Sequence, residues 1–214
     1  VSVELAWWGQ DQDYRATLAR QRARRDGVLD GSQDQVLALL EHRSVITTGR
    51  RAVDDLPDAA WLAANGIEVV RTERGGFATW HGPGQLTGYL IVDAAGRGLG
   101  ARGTVCAVES GLIQWLQDQG VDAGRRDGHP GVWCALGKLA AIGLHFRKGV
   151  SMHGFALNLC TVDAPWAAFV PCGITDARPA SLHELGIERT PAACWREVGQ
   201  AVADALTTRQ RVAT

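Results

Sequence analysis

Apolar residues fall along this chain in two spacings, and the switch between them lays out its elements. Alternation or short apolar runs mark Val3 to Trp8, Val36 to Leu40, Val45 to Thr48 and Ile67 to Thr72 as strands. The second and third flank Glu41-His42-Arg43-Ser44. Leu139 to Phe146 and Val150 to Leu159 read as a hairpin turning at Lys148-Gly149. A helical spacing predicts an arginine-rich helix from about Asp11 to Val28, with Tyr14, Leu18 and Ala19 inward. It also predicts a short helix from Asp58 to Asn65, stopped by Gly66, and a longer one from Thr104 to Gln119 with Val105, Val108, Leu112 and Trp115 on one face. Asp163 to Phe169 reads as a helical turn, and Pro191 to Thr207 as a final amphipathic helix. Between Thr72 and a strand at Leu90 to Val92 lies Arg74 to Tyr89, with five glycines and a proline in sixteen residues, too glycine-rich for regular structure.

Strands and helices are intermixed without a regular βαβ repeat. The expected fold is therefore α/β of the α+β kind, a mixed β-sheet flanked by helices. No linker, repeat or low-complexity tract breaks the chain, so 1–214 reads as a single domain, long enough to bury a large core. A net charge of −1 removes any overall drive toward nucleic acid or membrane. The basic cluster from Arg20 to Arg25 reads as a solvated helix face. No stretch approaches the roughly 20 apolar residues that a membrane span needs, and a cytoplasmic location is the expectation. The five cysteines are odd in number and show no Cys-x-x-Cys spacing, so neither a disulfide framework nor a metal site is expected. Cys106, Cys134, Cys160 and Cys194 read as small buried hydrophobes.

Lysine changes the picture. Of 22 basic residues only Lys138 and Lys148 are lysines. Lys148 precedes Gly149 at the hairpin turn, whereas Lys138 stands between Gly137 and an apolar run. Arginine stays charged at every accessible pH, while a partly desolvated ammonium can exchange protons. Cys172, in Pro-Cys-Gly-Ile-Thr, sits between a rigid and a permissive residue. Backbone N–H groups of a tight turn, or a nearby ammonium, lower a thiol pKa. An inert buried cysteine is the plainer reading of Cys172 alone; with an unexplained lysine it suggests a nucleophile and its activator. The glycine-rich segment lacks both nucleotide-loop patterns, yet carries Arg74, Thr79, His81 and Gln85 where little bulk separates them. His81 and His153 each precede a glycine at a strand end, which raises their functional odds; His42, His129, His145 and His183 read as ordinary.

Four motifs in order, Arg74-Gly-Gly-Phe-Ala-Thr-Trp-His-Gly-Pro-Gly-Gln, Gly137-Lys-Leu-Ala-Ala-Ile-Gly, His153-Gly-Phe-Ala-Leu-Asn and Pro171-Cys-Gly-Ile, resemble the lipoyl(octanoyl) transferase family over about 39–185. The resemblance implies a fold related to biotin protein ligase and lipoate–protein ligase. It implies an acyltransferase that moves an octanoyl or lipoyl group from acyl carrier protein to a lysine of a lipoyl-domain protein, in lipoate biosynthesis. Carried over by motif, Cys172 forms an acyl thioester and Lys138 lowers its pKa or moves protons. Arg74, Gly75, Gly76, Phe77, Ala78, Thr79, Trp80 and His81 would line the acyl site, with Ala141, Ile142, Gly143, Gly154, Phe155 and Ala156. The implied acceptors are lipoyl domains of 2-oxoacid dehydrogenase E2 subunits and the glycine cleavage H protein. No cofactor is implied, and a monomer is expected. Arg74 and Arg147 are candidates to steer the acidic carrier.

A lipoate- or biotin-type ligase is the competing reading, in which the lysine serves an acyl-adenylate; ATP dependence separates the two. A non-catalytic acyl-binding module is the third, and the Cys172–Lys138 pair speaks against it. Arginine at 138 would keep charge and lose titratability. Lys138→Arg is expected to lower transfer from neutral to alkaline pH, and a wild-type rate there would reduce Lys138 to a fixed charge.

Overall fold

The computed structural model describes residues 2–51, 56–161, 166, 168 and 177–207. Among these residues ten strands form two sheets. In chain order they are β1 (Glu4–Trp7), β2 (Val36–Leu40), β3 (Val45–Thr48), β4 (Glu68–Arg71), β5 (Thr79–His81), β6 (Gln85–Ile91), β7 (Gly124–Arg126), β8 (His129–Cys134), β9 (Gly137–Arg147) and β10 (Val150–Asn158). The helices are α1 (Tyr14–Asp30), α2 (Ala59–Ala64), α3 (Ala101–Asp118) and α4 (Pro191–Thr207).

The larger sheet runs β1-β2-β6-β10-β9-β8-β7, parallel only between β1 and β2. The smaller runs β4-β3-β5, parallel between β3 and β4. A mixed sheet flanked by helices is thus what forms, with a second small sheet beside it. β2 and β3 part company here, since β2 joins the large sheet and β3 the small one. β2 is apolar at every position because both its faces are covered. Leu37 and Leu39 face the main core, where α3 and α4 pack, while Val36, Ala38 and Leu40 face the other way toward Trp8, Tyr89 and Ile91. No helix among the described residues is long and apolar enough to cross a membrane.

Most predicted elements appear within one or two residues of their expected ends. Asp13 and Asp58 cap α1 and α2 by accepting N–H bonds from Ala16 and Trp61, each at 2.8 Å. Lys148 and Gly149 both take positive φ, 48° and 84°, the backbone that a tight two-residue hairpin demands.

The glycine-rich segment departs from expectation, because β5 and most of β6 lie inside it. Its glycines do not prevent a strand where neighbours supply both ladders. At Gly88 the ring of Phe155 occupies the space where a side chain would stand. β7 and β8 were not foreseen, and α3 starts three residues before Thr104. Ala19 is exposed; the inner face of α1 carries Tyr14, Thr17, Leu18, Gln21 and Arg25. Arg25 thus leaves the solvated cluster and is buried. Of the four cysteines read as buried only Cys194 is, the other three being partly exposed. The expected turn at 163–169 falls outside the described residues except for Trp166 and Ala168.

α3 and α4 meet closely at Gly111, where an added Cβ would sit 2.6 Å from the Val202 Cα. Alanine is the better helix former by up to about 1 kcal/mol, yet here it collides with backbone. Gly111→Ala is expected to destabilise by about 1–3 kcal/mol and to lower Tm by several degrees in calorimetry. An unchanged or raised Tm would show that the two helices separate freely.

Candidate active site

A cavity of about 730 Å³ opens where β5, β6, β9 and β10 meet α1 and the start of α3. That size suits a small-molecule site. The loop after β4 brings Arg74, Gly75, Gly76 and Phe77 to its wall, and β5 brings Thr79 and His81. β9 contributes Ala141, Ile142 and Gly143, and β10 contributes Gly154, Phe155 and Ala156. Ala78 and Trp80, expected in this lining, point the other way. Strand side chains alternate between faces, so with Thr79 and His81 turned inward these two join Ile46 and Ile67 in a separate apolar cluster.

Lys138 reaches the cavity through an irregularity in β9. Val132 pairs with Ala140, but Trp133 pairs with Lys138, so β9 holds one extra residue between them. Such a bulge breaks the two-residue alternation and re-aims a side chain. Leu139 and Ala140 accordingly both enter the main core, while Lys138 and Ala141, three apart, both line the cavity. The ammonium lies 5.1 Å from the centre of the Trp133 ring, within cation–π range. The 177–180 segment runs beside it: Lys138 N–H donates to the Arg178 carbonyl and Ala180 N–H donates to the Lys138 carbonyl, both at 2.9 Å. A narrow recess joins the cavity here, lined by Lys138, Trp166 and Ala177 and sharing Thr79, Ala141 and Ala156 with the larger space.

The wall next to this recess, which Gln85 and Asn158 also line, is polar and buried. His81 Nδ1 lies 2.7 Å from Gln85 Oε1. Gln85 Nε2 donates to the Trp80 carbonyl and Asn158 Oδ1, and Asn158 Nδ2 donates to the Ala180 carbonyl. Since the Gln85 amide nitrogen is already donating, its oxygen accepts, and His81 carries its proton on Nδ1. Burial, then repulsion from His42 and Arg74, holds His81 well below its ordinary pKa, so the ring is neutral with Nε2 as an acceptor. His42 donates from Nδ1 to the Gln12 carbonyl and accepts at Nε2 from the Tyr89 hydroxyl; burial lowers its pKa to about 4. The ordinary reading of His42 suits a core group with both nitrogens satisfied. His153 is different. It takes φ of +62° within a strand, costing on the order of 1 kcal/mol, and its buried ring nitrogens have no hydrogen-bond partner among the described residues. Glu73 lies 3.9 Å from its Nε2, too far for a hydrogen bond. The two-pronged grip of Arg22 holds the Glu73 carboxyl below the usual carboxylate range.

Arg74 does not suit steering of a partner. It is buried, and its guanidinium donates to the Thr47 carbonyl and hydroxyl at 2.7 and 2.9 Å. Exposed Arg50, Arg51 and Arg102 stand at the cavity wall instead, while Arg147 is paired with Asp26 at 3.1 Å. Cys172 lies outside the described residues. Sequence reading missed Thr87 and Tyr89, which alternation along β6 would have placed inward had that strand been foreseen, and gave Tyr14 only a core role.

Three buried histidines kept neutral have a pH consequence. Unfolded, each takes up a proton below about pH 6.5, whereas His42 in the fold resists until about 4. The unfolded chain then binds more protons, so stability falls as pH drops below about 6.5, for His42 by up to about 1.4 kcal/mol per pH unit until about pH 4. Urea midpoints should fall between about pH 7 and pH 5; a flat midpoint would mean that the fold admits these protons.

Comparison with known proteins accords with this geometry. Residues 13–207 match the family model described as the lipoyl protein ligase A/B catalytic domain. An octanoyltransferase of Mycobacterium marinum is 43% identical over 206 residues, covering 91% of this chain and 83% of that protein. One from Alkaliphilus metalliredigens is 42% identical over 158 residues, 72% of each. Among solved structures, lipoate-protein ligase A bound with ATP superposes with a TM-score of 0.78 at 18% identity, covering 96% of this chain and 86% of that one. A biotin protein ligase from Aquifex aeolicus gives 0.56 at 11% identity, with 95% and 70% covered. These likenesses bear on fold alone. The matched family model and the identity to curated relatives go further: the chain belongs to the lipoyl protein ligase A/B catalytic-domain family, among its octanoyltransferases.

Proposed function

We propose that the protein moves an octanoyl group from acyl carrier protein to a lysine of a lipoyl domain, through a thioester on Cys172 and with Lys138 as proton carrier. The observation that carries this reading is the recess beside Lys138. Trp166 and Ala177, which stand on either side of Cys172 in sequence, line it together with the lysine. The same recess opens into the cavity at Ala141 and Ala156, small residues that leave room for a thin aliphatic chain.

In this reading the Cys172 thiolate attacks the thioester carbonyl of the donor. A carbon–sulfur bond forms, the oxyanion collapses, and the carrier thiol leaves with a proton from the Lys138 ammonium. The neutral Lys138 amine then accepts a proton from the incoming lysine amine as its nitrogen attacks the acyl-enzyme, and Cys172 leaves as thiolate. A thioester becomes an amide, so the transfer runs without ATP. The alternative of an ATP-dependent ligase is not favoured, because the curated relatives that match at 42–43% identity are octanoyltransferases. Arg50, Arg51 and Arg102 at the cavity wall are suited to an acidic carrier, with association that weakens as salt rises. Lipoyl domains of 2-oxoacid dehydrogenases and of the glycine cleavage system are the acceptors in this scheme, which has a cytoplasmic monomer at work.

Incubation with octanoyl-acyl carrier protein followed by intact mass measurement tests the scheme. One octanoyl adduct is expected, released by hydroxylamine and missing in Cys172→Ala. Full transfer activity in Cys172→Ala without any adduct would remove the thioester from the mechanism.

A further inference from the structure

A buried carboxylate outside the cavity is built into the support of Lys138. Glu109 lies on α3, only 5% exposed, where a charge is costly unless it is paired and hydrogen-bonded. Its Oε2 accepts from Arg125 Nε at 2.8 Å. Arg125 is itself tied back to α3 through the Cys106 carbonyl and the Ser110 hydroxyl. The second oxygen, Oε1, accepts from the backbone N–H of Gly131 at 2.9 Å.

Gly131 is the residue on which the Lys138 side chain rests. It holds φ at +134°, and a Cβ there would lie 2.5 Å from Lys138 Cε and 3.2 Å from Nζ. The lysine stem therefore crosses β8 over the one position that has no side chain, immediately before the bulge that turns it toward the cavity. β7 pairs Gly124 with Trp133 and Arg126 with His129, and skips Gly131. The N–H that this irregular pairing leaves over is the one that Glu109 takes.

We propose that Glu109 is a positioning residue for Lys138, acting through the Gly131 N–H to fix the strand surface across which the lysine reaches its site. Arg125 holds the carboxylate in register with α3. The inference rests on the reading of Lys138 as the proton carrier. Loss of the Glu109 acceptor frees Gly131 to shift, and the ammonium shifts with it, while the cavity walls that bind the acyl chain stay as they are.

A double-mutant cycle in octanoyl transfer, with melting temperatures measured alongside, tests the proposal. Glu109→Ala is expected to lower kcat by about 10- to 100-fold, the scale of a displacement near 1 Å, with KM for the octanoyl carrier unchanged. Glu109→Gln, which still offers an oxygen to the N–H, should retain most of the rate. Glu109→Ala in a Lys138→Ala background should be no slower than Lys138→Ala alone, because a residue that acts through Lys138 has nothing left to act on. If the double variant loses the full factor again, or Glu109→Gln is as slow as Glu109→Ala, the positioning role is overturned while Lys138 keeps its own. If Lys138→Ala transfers at the wild-type rate, the Lys138 reading fails, and this proposal with it. Should Glu109→Ala not fold, Arg125→Ala, which releases the carboxylate from its tie to α3 and leaves Gly131 and Lys138 untouched, takes its place in the same cycle.

Discussion

The antiparallel pairing of β10 with β6 on one side and with β9 on the other is the constraint on which the rest of this structure depends. Gly154 faces Tyr89 and Gly143, Ala156 faces Thr87 and Ala141, and the registers hold across all three strands. Each pairing fixes which side chains look into the cavity, since a slip of one residue would turn every one of them to the opposite face. The helices α3 and α4 then cover one face of this unit with Leu112, Leu116, Val198 and Val202. On the other, α1 and the small sheet bring Tyr14, Thr79 and His81 over the strands, and the space left between becomes the cavity.

Against that regular frame, the two irregular positions stand where chemistry is expected. The extra residue in β9 sends both Leu139 and Ala140 into the core and leaves Lys138 in the cavity. The positive φ of His153 bends β10 where its backbone N–H is taken by Gln21 rather than by a neighbouring strand. Both depart from ideal pairing, and the long ladders on either side of them hold them in place. The polar wall of the cavity follows a related logic. Burial keeps His42 and His81 neutral, and the buried Arg74 further disfavours a positive charge on His81. The cavity thus presents acceptors and hydroxyls without positively charged histidines, together with an ammonium set against an aromatic ring.

Much of this was legible in the sequence. The final helix, both early strands and the long hairpin follow from periodicity because each buries a full apolar face, and a buried face imposes its period on the residues. Lys138 stood out because twenty other basic positions are arginine, and its place in the cavity accords with that. The failures have common causes. β5 and β6 were hidden by glycines whose missing side chains are replaced by neighbours distant in sequence, as Phe155 replaces one at Gly88. β7 is three residues long and part-exposed, and β8 buries Gly131, Val132 and Trp133 in succession, so no alternating apolar period marks either. Trp80 and Ala78 were placed in the cavity with the rest of their motif, although alternation along a strand must turn every second residue away. Arg74 looked like a surface charge because sequence does not show that Thr47 will enclose it.

By itself the sequence determined the kinds of element, their order, and the residue types able to carry acyl transfer, because these depend on local spacing and on side-chain chemistry. Only the tertiary structure decided which of those residues share a space. It placed Lys138 beside the 177–180 segment, separated Trp80 from His81, and set Glu109 beneath Gly131. The physical reason is that such meetings are made by strand register, by a single bulge and by hydrogen bonds between residues 22 or more positions apart. None of these leaves a pattern in the order of neighbouring residues.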